Sequence, residues 1–413
     1  MRIVLLIRNK KMKTPKYFKR ALYINRILPF VDTQIIKVIV GQRRVGKSYM
    51  LYQLIDEILS KDADADILYI NKELYEFDGI KNYSDLIQYV RQKRNKKEKC
   101  YLFIDEIQDI ELFEKALRTF FAEGCYDIYC TGSNANLLSG EFATYLSGRY
   151  VEIKVYGLSY EEFLQFHKLE DSDDSFGKFY KFGGLPYLIN LPFQEEFVSE
   201  YLKGIYNTIV LKDIVDRYNI RQVRQLEDLI LYLADIVGSL FSANKISNFL
   251  KSQRINIQPK NILQYLSFLS NAFLVQRIRI ADVHGKKILR IGEKYYFEDL
   301  GIRHAIRPFQ ANDIGRILEN VVCQHLLING YSVSIGRIAD KEIDFVAEKR
   351  GERMYVQVAA TILEEETRKR EFGNLQAIED NYPKLVVTLD ALEGVSYQGI
   401  QQLPIRKFLL EMK

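Results

Sequence analysis

Residues 41–48 restrict the fold of this chain more than any other part of its sequence, because they match the pattern G-x-x-x-x-G-K-[ST] in full. An apolar, β-branched run at residues 35–40 precedes them and predicts a buried strand, and helical spacing follows over residues 47–60. Glycines at such a junction let backbone N–H groups face phosphate oxygens, beside the positive end of the helix dipole. The predicted nucleotide-binding residues are Gly41, Gln42, Arg43, Arg44, Val45, Gly46, Lys47, Ser48 and Tyr49.

This phosphate loop predicts roles for individual side chains. Lys47 is expected to reach the β- and γ-phosphates of ATP, and Ser48 to ligate Mg²⁺. Asp105 ends the apolar strand predicted at residues 100–104 and is expected to hold the same Mg²⁺ through water. Glu106 is expected to orient and deprotonate the attacking water. The alternative is that Asp105 and Glu106 are a pair of exposed acids at a strand end.

Three further sets of side chains are candidates for contacts with the nucleotide. Asn134 first, and Ser133 second, follow the next strand and are expected to contact the γ-phosphate or the attacking water; the alternative is a turn that caps a helix. Arg149 is a candidate to supply charge to the transition state, from its own subunit or from a neighbour, or it is a plain surface arginine. Arg43 and Arg44 are expected to touch phosphate or a partner, or to be solvated.

The alternation of strands and helices through the first part of the chain predicts an α/β fold, a P-loop NTPase with a parallel, doubly wound sheet. Its chemistry is expected at the carboxyl ends of the strands. From about residue 158 the pattern becomes helical, and after residue 300 it returns to mixed α/β. The predicted domains are a basic N-terminal arm and lead-in (1–29), a P-loop ATPase core (30–165), a helical lid or linker (166–221), a winged-helix-like domain (222–300) and a C-terminal domain (301–413).

Net charge and apolar content favour a globular protein over a membrane protein. The chain has 413 residues, a net charge of +5 and 47% hydrophobic residues, as expected for a globular protein. No apolar run approaches the ~18 residues that a membrane helix needs, so no membrane partner is predicted. The start of the chain has no secretory signal and the four cysteines have no metal-like spacing, so we expect a cytoplasmic location.

Residues 1–20 contain eight basic and no acidic residues. They predict either an arm for nucleic acid or an anionic surface, or a solvated and poorly ordered terminus. A third alternative is that translation begins at Met12. A second basic region, residues 251–294, contains nine basic residues, including Lys286 and Lys287 in the predicted wing. It is a candidate for DNA binding through phosphate contacts, and the alternative is a protein-interaction module.

The motifs together resemble those of prokaryotic AAA-type ATPases that carry a C-terminal DUF4143 domain, a group related to the STAND signalling ATPases. The resemblance covers residues 17–413, is stronger in the first half, and rests on residues 36–48, 103–108, 131–135, 146–149 and 158–163. It implies ATP and Mg²⁺ as cofactors. In the STAND class a G-x-P element contacts the adenine, so the resemblance implies that Pro186, in Gly184-Leu185-Pro186, senses the nucleotide; the alternative is a turn between two helices.

The C-terminal domain is similar to the PD-(D/E)xK nuclease fold. The resemblance implies Glu319, Asp344 and Gln357 as the site residues, and Ala359 stands where the nuclease requires lysine. Alanine can neither polarise water nor stabilise a developing charge, so we expect an inactive nuclease-like domain. Lys341 and Lys349 are the candidates to replace the missing lysine. The alternative to a nuclease-like site is that these acids are ordinary surface residues and that the domain serves only for binding or assembly.

These residues predict an enzyme that converts ATP and water to ADP and phosphate and acts as a nucleotide-driven switch on a protein partner. The alternative is a DNA-binding or DNA-processing ATPase that uses the winged helix and the nuclease-like domain. A third hypothesis is a binding protein in which the nucleotide is structural. The sequence leaves open whether the chain forms an oligomer.

Overall fold

A computed structural model describes residues 15–95, 97–138, 144–283, 288–391 and 396–412. The basic residues before 15 and the wing residues Lys286 and Lys287 therefore lie outside the described residues. The chain divides into two units, the first formed by residues up to Gly41 and from 46 to 155, and the second by residues 42–45 and 156–413. Among the described residues, no helix is long and apolar enough to cross a membrane.

The first unit is built on a five-stranded sheet in the order β2-β3-β4-β1-β5, and every pairing in it is parallel. All residues of β1 and β4 are buried, as expected for strands covered on both faces. The predicted parallel α/β fold of a P-loop NTPase is thus confirmed. The elements are α1 (Ala21–Ile27), β1 (Ile36–Val40), α2 (Lys47–Lys61), β2 (Ile67–Asn71), α3 (Tyr83–Lys93), β3 (Cys100–Asp105), α4 (Phe113–Glu123), β4 (Tyr126–Gly132) and β5 (Tyr150–Lys154).

Local sequence signals explain where the helices of this unit begin and end. α2 begins directly after Gly46, whose φ of 96° lies in the left-handed region that glycine adopts without a Cβ clash. α3 begins with a capping box in which Asn82 accepts the backbone N–H groups of Ser84 and Asp85, and the carboxylate of Asp85 accepts the backbone N–H of Asn82. α4 ends at Gly124, with a φ of 69°.

The strand order determines which loops meet at the carboxyl edge of this sheet. β4 lies between β1 and β3, with Val40 opposite Gly132 and Ile104 opposite Cys130. The chain segments that follow β1, β4 and β3 are therefore neighbours at one edge. Residues 131–134 lie between the phosphate loop and Asp105.

The second unit has ten helices among its described residues. One of them, α7, continues from Thr208 as a π-helical segment, Ile209–Asp216. The helices are α5 (Tyr160–His167), α6 (Asp173–Phe182), α7 (Glu195–Thr208), α8 (Val223–Asp235), α9 (Ala243–Ser252), α10 (Pro259–Asn271), α11 (Leu300–Ile306), α12 (Ile314–Ile328), α13 (Glu365–Gln376) and α14 (Ile405–Glu411).

This unit also contains an eight-stranded mixed sheet in the order β12-β13-β11-β10-β9-β8-β6-β7. The hairpin β6–β7, which we predicted as the wing of a winged helix, joins the C-terminal strands through parallel pairing of β6 with β8. The winged-helix and nuclease-like assignments stay predictions. The strands are β6 (Val275–Asp282), β7 (Ile288–Phe297), β8 (Ser332–Ile338), β9 (Lys341–Lys349), β10 (Glu352–Ala359), β11 (Lys384–Thr388), β12 (Ser396–Tyr397) and β13 (Ile400–Pro404).

Candidate functional site

Lys47 is the first residue of α2 and its side chain is buried at the carboxyl edge of the first sheet. Its ammonium donates a hydrogen bond to the carbonyl oxygen of Gly41 at 3.2 Å and lies 3.5 Å from Oε1 of Glu106. The residue predicted to bind phosphate thus lies beside the residue predicted to activate water.

Asp105 is buried at the end of β3 and is held by three hydroxyl groups. Thr131 donates to its Oδ1 at 2.5 Å and Tyr69 to its Oδ2 at 2.9 Å, and Ser48 forms a third side-chain hydrogen bond with it. Burial raises the pKa of this carboxyl above its ordinary value, and the three hydrogen bonds oppose the rise. The structure therefore brings together Ser48 and Asp105, the two predicted Mg²⁺ ligands.

Glu106 occupies a left-handed backbone conformation with a φ of 55°, a strained position for a residue with a Cβ. Its backbone N–H donates to Oγ1 of Thr131 at 2.9 Å, and the Gln108 amide donates to its Oε2 at 2.5 Å. These contacts hold the residue against the strain. Its carboxylate is buried and oriented, rather than exposed at a strand end as the alternative required.

The end of β4 supplies two further buried polar side chains, Ser133 and Asn134. In the part of the chain that the structure describes, Oγ of Ser133 has no hydrogen-bonding partner. A buried hydroxyl without a partner costs free energy, so it fits a site that receives a polar ligand. The contact of Ser133 or Asn134 with a phosphate or with the attacking water stays a prediction.

The remaining loop residues differ in environment. Val45 is buried with 1% of its surface exposed, whereas Arg44 is exposed. Tyr49 faces outward from α2 with 44% of its surface exposed. Gln42 and Arg43 are anchored by their side chains within the second unit. Their predicted contacts with nucleotide stay predictions.

Arg149 lies at the opposite edge of the first sheet from the phosphate loop. Its carbonyl accepts the N–H of Ile36 at the start of β1, and its guanidinium lies over the ring of Phe121. The phosphate loop follows the other end of β1, roughly 16 Å away at ~3.3 Å per residue. The structure therefore places Arg149 away from the phosphate loop of its own subunit, and its role in supplying charge to the transition state, there or at a neighbour's site, stays a prediction.

Pro186 begins a short 3₁₀ helix, Pro186–Asn190, in the second unit. The preceding glycine, Gly184, accepts the N–H of Leu158 and donates its own N–H to the buried carboxyl of Asp299 at 2.8 Å. Burial raises the pKa of Asp299 to about 6, although the backbone N–H groups of Gly184, Ile302 and Gly301 donate to its carboxyl and oppose the rise. The Gly-Leu-Pro element is thus a structured turn, and its contact with adenine stays a prediction.

The predicted nuclease-like residues lie close together in the second unit. Asp344 on β9 accepts the N–H of Val358, and Oε1 of Gln357 on β10 accepts the N–H of Asp344. Burial, followed by the nearby carboxylate of Glu319 on α12, raises the pKa of Asp344 well above its ordinary value. In the described ranges, no group of three or more His, Cys, Asp or Glu residues is placed to hold a metal ion.

The positive charge of this cluster comes from Lys294 on β7, not from the lysines that we predicted. Its ammonium is buried 3.3 Å from Glu319 and 2.8 Å from Glu342. Burial lowers the pKa of Lys294, but the surrounding carboxylates outweigh burial and raise it. Lys341 instead donates to the carbonyl of Gly373, and Lys349 lies over the ring of Tyr331.

The basic region predicted to bind DNA is only partly described. Lys294 does not contribute to such a surface because it is buried among carboxylates, and Arg277 lies 3.6 Å from Glu293. The exposed basic residues among those described are Lys251, Arg254, Lys260, Arg277 and Arg279.

Two residues of the first site had no role in the sequence analysis. Tyr69 and Thr131 bind the carboxyl of Asp105 from the strands on either side of β3. Their one sequence signal is a polar group near the carboxyl end of a predicted strand, which becomes informative only when the strand order is known.

Two family models match the chain. An AAA domain model (AAA_14) matches residues 33–164, which include the phosphate loop and Asp105. A domain of unknown function, DUF8612, matches residues 173–313. The family model that matches beyond the AAA domain is thus DUF8612, over residues 173–313, and the DUF4143 assignment of residues 301–413 stays a prediction.

Two relatives and one solved structure are similar to this chain. An uncharacterized protein of Haemophilus influenzae is 41% identical over 396 residues, which cover 94% of this chain and 98% of that protein. The uncharacterized protein MJ1544 of Methanocaldococcus jannaschii is 32% identical over 330 residues, covering 76% of this chain and 71% of that protein. The Aeropyrum pernix Orc1 protein, solved in complex with DNA, is 12% identical, with a TM-score of 0.32 over 72% of this chain and 95% of that chain. That TM-score is too low for the likeness to indicate an activity. The chain belongs to the family of the two relatives, and its residues 33–164 match an AAA domain, which supports an ATP-binding protein of the AAA type.

Proposed function

We propose that this protein binds Mg²⁺-ATP at residues 41–48, hydrolyses it, and uses the cycle as a switch that acts on a protein partner. The observation that carries the proposal is the meeting of four side chains within the first unit. Lys47 lies 3.5 Å from Glu106, and Ser48 is hydrogen-bonded to Asp105. A lysine, a hydroxyl and two carboxyl groups in this arrangement are what phosphoryl transfer to water requires.

Each side chain has a distinct role in the proposed reaction. Lys47 and the backbone N–H groups of the loop bind the β- and γ-phosphates, and Ser48 and Asp105 hold the metal ion. Mg²⁺ supplies positive charge that neutralises the phosphate oxygens. Glu106 accepts the proton of the attacking water, and Thr131 fixes the backbone of Glu106 and the carboxyl of Asp105.

Steady-state phosphate release and the binding of a fluorescent ATP analogue test the reaction. We expect Lys47→Ala to lose binding, and Glu106→Gln to bind ATP while turnover falls about 10²–10⁴-fold. Lys61→Ala and Glu111→Gln are matched controls, because both residues are exposed within the first unit. A Glu106→Gln variant that turns over like the wild type would remove the proposed base, and a wild type that binds no nucleotide would overturn the proposal.

The switch on a protein partner makes a separate expectation. Glu106→Gln holds ATP without hydrolysis, so we expect it to retain a partner in the presence of Mg²⁺-ATP and to release it when Mg²⁺ is chelated. Lys47→Ala is the control that does not enter the ATP state. Equal retention by both variants would contradict a nucleotide-driven switch.

A second candidate function, a DNA-processing ATPase, is favoured by the exposed basic residues between Lys251 and Arg279. It predicts salt-sensitive DNA binding and a turnover of ATP that rises when DNA is added. Turnover that stays the same with single- and double-stranded DNA would count against it. We further propose that the C-terminal nuclease-like cluster does not cleave DNA, since Ala359 replaces the required lysine; cleavage lost on Asp344→Asn would refute this.

A further inference from the structure

The tip of the phosphate loop is anchored by a buried ion pair. The chain passes into the second unit at Gln42 and returns to the first at Gly46. Within the second unit, the Arg43 guanidinium donates to both oxygens of Asp213, from Nε at 2.5 Å and from Nη2 at 2.8 Å. Only 1% of the Asp213 side chain is exposed. A two-point bond of this kind fixes orientation as well as distance.

A second anchor lies one residue earlier in the loop. The buried side-chain amide of Gln42 donates to the backbone carbonyl of Phe273 at 2.8 Å. The two anchors reach different elements. Asp213 lies in the π-helical segment that continues α7, and Phe273 follows the helix α10. Adjacent residues held from two sides leave the loop little freedom to change its path.

The next residue shows why such anchoring matters. Arg44 has a φ of 71°, a left-handed conformation that is strained for a residue with a Cβ. Strain of this kind persists only where the surroundings hold the backbone in place. The anchored residues 42 and 43 directly precede Arg44, so they oppose its relaxation toward an unstrained conformation.

Asp213 also lies in an unusual local structure. The segment Ile209–Asp216 is π-helical, a rare form that is frequent at functional sites. The guanidinium of Arg217 lies 3.8 Å from the same carboxylate, so Asp213 contacts both Arg43 and Arg217. The segment thus aims a buried carboxylate at a loop residue that is distant in sequence.

We propose that Asp213 is a positioning residue that holds the tip of the phosphate loop, through Arg43, in the shape that binds ATP. The proposal rests on the proposed ATP binding and adds a means of regulating it. The affinity for ATP then depends on the conformation of the π-helical segment in the second unit. By linkage, ATP that favours the anchored loop also stabilises residues 209–216.

Titration with a fluorescent ATP analogue, together with steady-state turnover, tests this role. We expect Asp213→Asn, which keeps the shape and removes the charge, to raise Kd and KM for ATP about 10-fold while kcat changes less than about 3-fold. Asp216→Asn is the matched control, since Asp216 is an exposed residue of the same segment. Hydrogen exchange of residues 209–216 is expected to slow when ATP binds to the wild type.

A double-mutant cycle separates positioning from general loss of structure. Arg44→Gly relieves the strain, so in its background Asp213→Asn should raise Kd less than about 3-fold. The inference is overturned if Asp213→Asn raises Kd by the same factor in the wild type and in Arg44→Gly, or if Asp213→Asn binds ATP with wild-type affinity. If Asp213→Asn fails to fold, Arg43→Lys is tested in its place. Lysine keeps the positive charge beside Asp213 but cannot form the two-point hydrogen bond of the guanidinium. A wild type that binds no ATP is distinguishable, since it overturns the proposed function itself.

Discussion

Thr131 joins the two acidic residues of the ATPase site, so its replacement by valine is a sensitive test of the arrangement. Its hydroxyl donates to Oδ1 of Asp105 and accepts the backbone N–H of Glu106. Valine has nearly the same shape and supplies neither interaction. Thr131→Val therefore removes one hydrogen bond to a buried carboxyl and leaves one buried N–H without its partner.

The magnitude follows from those two losses. A hydrogen bond to a charged group is worth about 1.5–3 kcal/mol, and an unsatisfied buried N–H costs about 1–3 kcal/mol. Because one hydroxyl makes both bonds, the two terms are not independent, and we expect Thr131→Val to lower the free energy of unfolding by about 2–4 kcal/mol. Losing a donor also raises the pKa of Asp105 further, so Mg²⁺ binding should fail at a higher pH on acidification than in the wild type.

Guanidinium unfolding and Mg²⁺ titrations of ATP turnover at several pH values measure these two effects. Thr131→Ser is the matched control, because it keeps the hydroxyl and loses only a methyl group, worth about 1 kcal/mol. A Thr131→Val variant as stable as Thr131→Ser, with an unchanged pH dependence for Mg²⁺, would refute the role assigned to this hydroxyl.

Three further predictions test other parts of the structure. The pKa of Asp299 rises from 3.8 to about 6 in the fold, so the folded state binds this proton more tightly than the unfolded state does. The free energy of unfolding should therefore fall by about 3 kcal/mol as the pH rises from 3.8 to above 6. Denaturant unfolding of Asp299→Asn should lack this pH dependence. Lys294→Met should lower the free energy of unfolding by about 3–5 kcal/mol by leaving buried carboxylates unpaired, and adding Glu319→Gln should restore part of it in the same assay. Arg149→Ala should leave the turnover of dilute, monomeric protein within about 2-fold, and a loss of more than about 10-fold would contradict its placement away from its own subunit's site.

The sequence was sufficient to predict the parallel sheet and the central residues of the site because both depend on short-range patterns. A buried strand, a glycine loop and a helix lie next to one another along the chain, and period and composition identify each of them. Asp105 could be placed because it ends an apolar strand. Its neighbours Tyr69 and Thr131 could not, since their contacts depend on the order in which the strands pair.

The second unit shows the same limit more strongly. The three helices between residues 223 and 271 follow an apolar spacing that can be seen in the sequence. Lys294 lies in a different predicted domain from Glu319 and Asp344, so no local pattern connects it with them. The π-helical segment Ile209–Asp216 was not predicted, because no residue pattern in the sequence distinguishes it from an α-helix.

The position of β6 between β7 and β8 in the eight-stranded sheet has a consequence for how this protein can change over evolutionary time. β6 pairs with β7 on one side and with β8 on the other. A gene shortened after residue 300 would encode a β6 with one row of backbone donors and acceptors open to solvent, an edge that promotes aggregation. We therefore expect lineages to gain or lose the strands from β6 onward together, and recombination within the gene to be tolerated before β6 rather than between β7 and β8.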